Sequence, residues 1–191
     1  EEQAAAFAFP IQSITKYDDH KAAKIKYEQK ALFGEMSHAS YITYHKKSLY
    51  VGLFTKKRGG YIQRFKIDSD GGIDGEDNGD STYDVWSAYA EPVKSLTALK
   101  QVQGLAFYKG YAILSQSFGK GSSKIYLFEE KSGEWKYDAV ATFKAPSHLE
   151  QISMYNGRLY MCFESGAYEY RHRSKDYIDR IISMNVQDLV T

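Results

Sequence analysis

Three hairpins of one design constrain this chain more than any other feature of its sequence. Residues 39–52, 103–115 and 150–162 each read as a short strand ending in tyrosine, a tight turn and a second strand. The tyrosines Tyr44, Tyr108 and Tyr155 are spaced 64 and 47 residues apart. The second and third copies turn at Lys109-Gly110 and Asn156-Gly157, where a glycine supplies the positive φ that a two-residue hairpin turn demands. The first copy turns at Lys46-Lys47 and reads as one residue longer, a poorer match. A unit that recurs in this way cannot bury its own apolar face and must stack against its neighbours.

Further strands follow each hairpin. Tyr61 to Ile67, Lys124 to Phe128 and Ile178 to Met184 read as third strands, and Thr82 to Trp86 and Trp135 to Phe143 as fourth strands. Four antiparallel strands in roughly 45–50 residues make the unit of a β-propeller blade. The longer first spacing is assigned to an inserted loop, Asp68 to Ser81, and Glu91 to Lys100, with Pro92 at a possible first turn, reads as a short helix. The fold expected is therefore all-β, a β-propeller with three recognisable four-stranded blades in residues 37–90, 91–146 and 147–191. A partial N-terminal blade would occupy residues 1–36, with a strand from Lys24 to Phe33. A closed ring needs at least ~4 blades. Either the N-terminal segment completes a small ring, or the chain is part of a five- or six-bladed ring completed by a preceding half-chain or a second copy. A meander sheet or a sandwich is the competing arrangement of such strands.

Composition agrees and excludes several classes. Aromatics are 15% of the chain and 17 residues are tyrosine, a residue suited to half-buried pleated surfaces. A net charge of +1 gives no footprint for nucleic acid. No apolar run reaches the ~20 residues of a membrane-spanning helix. The single cysteine, Cys162, rules out an intrachain disulfide or a cysteine-rich zinc site and reads as a small buried hydrophobe within an apolar strand.

Propellers bind ligands where the starts of their innermost strands converge. Aligning the repeats matches 38–40 with 102–104 and 149–151, so His38, Gln103 and Glu150 are expected together at the mouth, with Ser40 and Gln151 beside them. An imidazole, an amide and a carboxylate can move a proton or orient a polar ligand. They can equally bind water in a wet channel. The loop from Asp74 to Asp80 places Asp74, Glu76 and Asn78 at alternating positions ahead of Gly79 and Asp80. That is the first half of a calcium loop, whose oxygens converge on a hard cation. Thr82 and Val85 fall at its ninth and twelfth positions, so the bidentate glutamate of an EF-hand is missing; a flexible acidic turn is the plainer alternative. The basic, glycine-bearing stretches 56–60 and 118–124 lack phosphate-loop spacing and read as strand connections that make one face locally basic.

Residues 102–107 (Val-Gln-Gly-Leu-Ala-Phe), 113–119, 159–166 and 178–181 (Ile-Asp-Arg-Ile) resemble the C-terminal half of secreted bacterial β-propeller proteins of uncharacterised function. The resemblance covers roughly 37–186 and implies further blades upstream and an extracellular or cell-surface location. The Gln103-Gly104-Leu105 stretch with the Phe118–Ser123 segment is also similar, over one blade, to the five-bladed glutaminyl cyclases. Two functions are thus expected. One is an exported binding or scaffold module for a small molecule, glycan or protein, with calcium as its one candidate ion. The other is a propeller enzyme, a cyclotransferase or hydrolase, working at the mouth residues.

Overall fold

The computed structural model describes residues 4–10, 29–33, 36, 38–69, 71–73, 76–77, 86–90, 92 and 94–190. Its first strands are β1 (Ala5–Ala8), β2 (Gln29–Phe33), β3 (Tyr41–His45), β4 (Ser48–Gly52), β5 (Gly60–Lys66), β6 (Glu76–Asp77), β7 (Trp86–Ala90) and β8 (Lys94–Ala98). Then come β9 (Val102–Tyr108), β10 (Tyr111–Gln116), β11 (Ser123–Glu129), β12 (Glu134–Trp135) and β13 (Ala141–Ala145). The chain closes with β14 (Leu149–Tyr155), β15 (Arg158–Phe163), β16 (Ile182–Asn185) and a single helical turn, α1 (Gln187–Val190). The described chain is all-β, built from several largely antiparallel sheets. Their strand orders are β1-β2-β7-β6, β12-β8-β5-β4-β3, β13-β11-β10-β9 and β14-β15-β16, named here the first to fourth sheets.

All three expected hairpins form, and all three use two-residue turns. His45 pairs with Ser48, Tyr108 with Tyr111, and Tyr155 with Arg158. The first turn needs no glycine, because Lys46 and Lys47 both take left-handed backbone, at φ 48° and 56°. This corrects the expected extra residue and shifts the register: His45, not Tyr44, stands where Tyr108 and Tyr155 stand.

The sheets stack face to face through three apolar layers, and period-two alternation sorts the residues among them. Tyr50, Ile62, Leu96 and Trp135 meet Leu105, Phe107 and Leu114 between the second and third sheets. Ile113, Ile125 and Leu127 meet Ile152, Leu159 and Met161 between the third and fourth. Strand β10 therefore sends Ala112 and Leu114 one way and Ile113 the other, which is why its sequence is a continuous apolar run. Phe33 packs against Phe65 with the rings tilted, centroids 4.5 Å apart, between the first and second sheets. Removing a large side chain from such layers, for example Trp135→Ala, would cost about 3–5 kcal/mol.

Four expected elements are corrected. The fourth strand of the second sheet is β8, in the segment read as a short helix; Leu96 and Ala98 alternate inward there with period two, leaving no helical stripe. Trp86 opens β7, which pairs parallel with β2, so the long link after β5 donates β6 and β7 to the first sheet. The stretch from Trp135 to Phe143 divides: β12 pairs parallel with β8 in the preceding sheet, and β13 completes the third sheet beside β11. In the fourth sheet the third strand begins only at Ile182. Its neighbour β15 turns Leu159 and Met161 inward and leaves Cys162 exposed, contrary to the buried position expected, because only one face of this sheet is covered by the described chain.

Candidate functional site

Each of β9 and β14 is the first strand of its sheet, and the two lie side by side. Both carry an irregularity at the same place. On β9 the pairing shifts so that Gln103 has no partner between Val102 and Gly104, and on β14 Glu150 is left over between Leu149 and Gln151. Such bulges re-aim a side chain that the regular pleat would send elsewhere. Here they turn Gln103 and Glu150 toward each other, and the Gln103 Nε2 donates to Glu150 Oε1 at 3.2 Å.

Gly104 lets the strands approach this closely. A Cβ there would lie 2.5 Å from Gln151 Oε1, 2.8 Å from the Ile152 nitrogen and 3.0 Å from Ser115 Oγ. Gln151 itself turns back, its Oε1 accepting from the Ile152 N–H at 3.1 Å.

The partner missing from the sequence reading is Glu164. The Asn156-Gly157 turn folds β15 back along β14, so the residue after Phe163 returns to the start of β14, and the Glu164 N–H donates to the His148 carbonyl at 2.9 Å. Counting outward from that turn would have placed Glu164 near Glu150. The Glu150 carboxyl hydrogen-bonds Glu164, and its pKa is pushed up to about 7 by burial first and then by the Glu164 charge. Two neighbouring carboxyls cannot both ionise cheaply, so the Glu164 charge adds to burial in favouring the protonated form of Glu150.

Tyr170 and His148 complete the surroundings. The Glu164 charge first, then burial, then the charges of Glu169 and Glu150 push the Tyr170 hydroxyl up. The buried His148 ring lies 5.1 Å from the Tyr170 ring and shares a 3.3 Å hydrogen bond between its Nδ1 and Ser174 Oγ. His148 takes left-handed backbone at φ 63°, a cost of order 1 kcal/mol for a non-glycine residue at the edge of this cluster.

The other expected site residues lie elsewhere or outside the described chain. Counted from the turns, Ser40 rather than His38 shares the register of Gln103 and Glu150. Ser40 is engaged locally, its Oγ accepting from the Phe54 N–H at 3.0 Å, and His38 is exposed ahead of β3. Asp74, Asn78 and Asp80 fall outside the described residues, and Glu76 opens the short β6.

No family model matches the chain, and no curated protein matches it. Among solved structures, the crystal structure of the computationally designed Ika8 protein is similar at 9% identity and a TM-score of 0.33, over 75% of this chain. The match spans 48% of that protein, about half its length, and at this level it carries no inference about fold or activity.

Proposed function

We propose that the chain is a β-propeller portion acting as a binding module, with its ligand site at Gln103, Glu150 and Glu164. The ring reading is supported by the three hairpin-led sheets, which follow one another in the chain, pack face to face and set β3, β9 and β14 at the same edge. Location outside a bacterial cell rests on the family resemblance. The single observation that carries the site is the pair of matching bulges that turns Gln103 and Glu150 together, the amide donating to the carboxyl at 3.2 Å, with Glu164 close enough to help raise the Glu150 pKa. A carboxylate pair of this kind accepts hydrogen bonds from an amine or from vicinal hydroxyls, which is the chemistry of an amino sugar or small polyol.

The test is thermal denaturation at pH 7.5 with glucosamine and with neutral sugars, in the wild type and in Glu164→Gln. Saturating stabilisation that Glu164→Gln abolishes supports the reading; no stabilisation, or one unchanged in the variant, contradicts it.

A second reading is favoured by the same placement: burial and the Glu164 charge push the Glu150 carboxyl up to about 7, which suits general acid–base chemistry, as a cyclotransferase or hydrolase requires. An activity lost in Glu150→Gln with the melting temperature retained would select it. Calcium at Asp74, Glu76, Asn78 and Asp80 is a separate proposal, resting on the alternating oxygens of that loop. It predicts a melting temperature lowered by chelator in the wild type and unaffected in Asp74→Ala.

A further inference from the structure

A cavity lies between the second and third sheets, at the hairpin ends and away from Glu150. It measures ≈540 Å³, within the range of small-molecule sites. Tyr50, Leu96 and Trp135 give it an apolar wall.

Its charges do not balance. Lys46 is committed to Glu130 at 2.9 Å, and Lys131 to Glu129 at 3.4 Å. Those two pairs use up both carboxylates of the lining, leaving Arg64, Lys94 and Lys109 as an excess of three positive charges. Among the described residues no carboxylate pairs with Arg64 or Lys94, and Lys109 Nζ rests 5.2 Å from the Tyr108 ring centroid.

The arrangement opposes folding unless something answers it. Arg64 on β5 stands directly across from Lys94 on β8, and like charges in facing positions destabilise a strand pair. The Arg64 Nε is buried and has no hydrogen-bond partner. An unmet charged donor carries a desolvation cost that an arriving acceptor would remove. Gly133, at φ 66°, keeps the space beside Lys94 clear, since a Cβ there would lie 2.7 Å from Lys94 Nζ.

We propose that this cavity is a binding site for a phosphate monoester with an apolar or aromatic body, its phosphate held by Arg64 and Lys94 with Lys109 at the rim. A phosphate monoester carries a charge near −2 at neutral pH and offers the planar guanidinium fork matching oxygens. A neutral ligand of the same shape would leave the three cations unanswered.

Calorimetric titration of the full chain with phenyl phosphate tests it, with benzyl alcohol as the neutral comparison. The expected result is saturable binding of phenyl phosphate that weakens at least tenfold in both Arg64→Gln and Lys94→Gln and falls with added salt. Lys144→Gln, on the exposed edge strand β13, should leave it unchanged. Should Arg64→Gln fail to fold, Lys94→Gln decides alone. No saturable binding, equal binding of benzyl alcohol, or affinity retained in Lys94→Gln would overturn the proposal.

Discussion

Glu130 and Glu150 each reach from one sheet toward the next, and they do so with opposite electrostatics. Glu130 follows β11 of the third sheet and meets the first hairpin turn of the second sheet. Lys46 Nζ donates to both its oxygens, at 2.9 and 3.0 Å, and His45 Nε2 lies 3.0 Å from Oε1 while its ring stacks on Phe107. Partial burial works against ionisation there, but the hydrogen bonds and charges of Lys46 and His45 outweigh it and hold the Glu130 carboxyl below its ordinary range. Glu150 meets an amide and another carboxyl, and is pushed up. Similar placement therefore yields a clamp in one case and a poised group in the other. The sign of the partner decides which, and an acid with its charge answered is a poor candidate for chemistry.

Among substitutions around these two glutamates, the largest expected effect is on the geometry that brings Glu150 into place. Gly104→Ala should destabilise the chain by about 1–3 kcal/mol, because the added methyl presses on the Ile152 backbone and neither strand can yield without breaking a pairing. Chemical denaturation measures it, and a loss below about 0.3 kcal/mol would show that the close approach of β9 and β14 is not needed.

Next comes the clamp. Glu130→Ala should cost about 1–2 kcal/mol at pH 7, since it strips two charge-assisted hydrogen bonds and leaves Lys46 and His45 without their acceptor. The folded carboxyl titrates below the unfolded one, so its contribution is present above the unfolded value and lost as pH falls through the folded one. The gap between wild type and Glu130→Ala should therefore close in acid.

Glu150→Gln should act in the opposite direction. Between about pH 4.5 and about 7 the folded protein holds a proton that the unfolded chain has released, so wild-type stability falls as pH rises across that window and then levels. The glutamine variant does not titrate and can still accept from Gln103 and donate to Glu164. It should be more stable than the wild type above pH 7 by about 1 kcal/mol, well short of a fully buried charge because water screens a half-buried group. Equal stabilities at pH 5 and pH 8 would erase the contrast. The smallest effect belongs to Glu164→Gln, which should change stability by under about 1 kcal/mol while letting the Glu150 pKa drop toward the ordinary carboxylate range.

How much of this was legible follows from where the information lies. Asn156-Gly157 and Lys109-Gly110 announce their turns locally, so two hairpins and the equivalence of Gln103 with Glu150 could be read directly. Lys46-Lys47 carries no glycine to fix the turn type, so the sequence makes that turn one residue longer than it is and places the first hairpin one register off. The parallel pairings of β7 with β2 and β12 with β8 join distant segments through backbone alone, which no nearby residue encodes. Glu164 stood within reach of the hairpin count. Cys162 is exposed although it lies in an apolar run, because β15 is covered on one face where β10 is covered on both.

The most direct measurement is a carbon-13 titration of the glutamate side-chain carboxyls, with Glu150 assigned through Glu150→Gln. The expected midpoint for Glu150 is about 7, moving down in Glu164→Gln. A midpoint near the ordinary value of about 4.3, unchanged by that substitution, would contradict it.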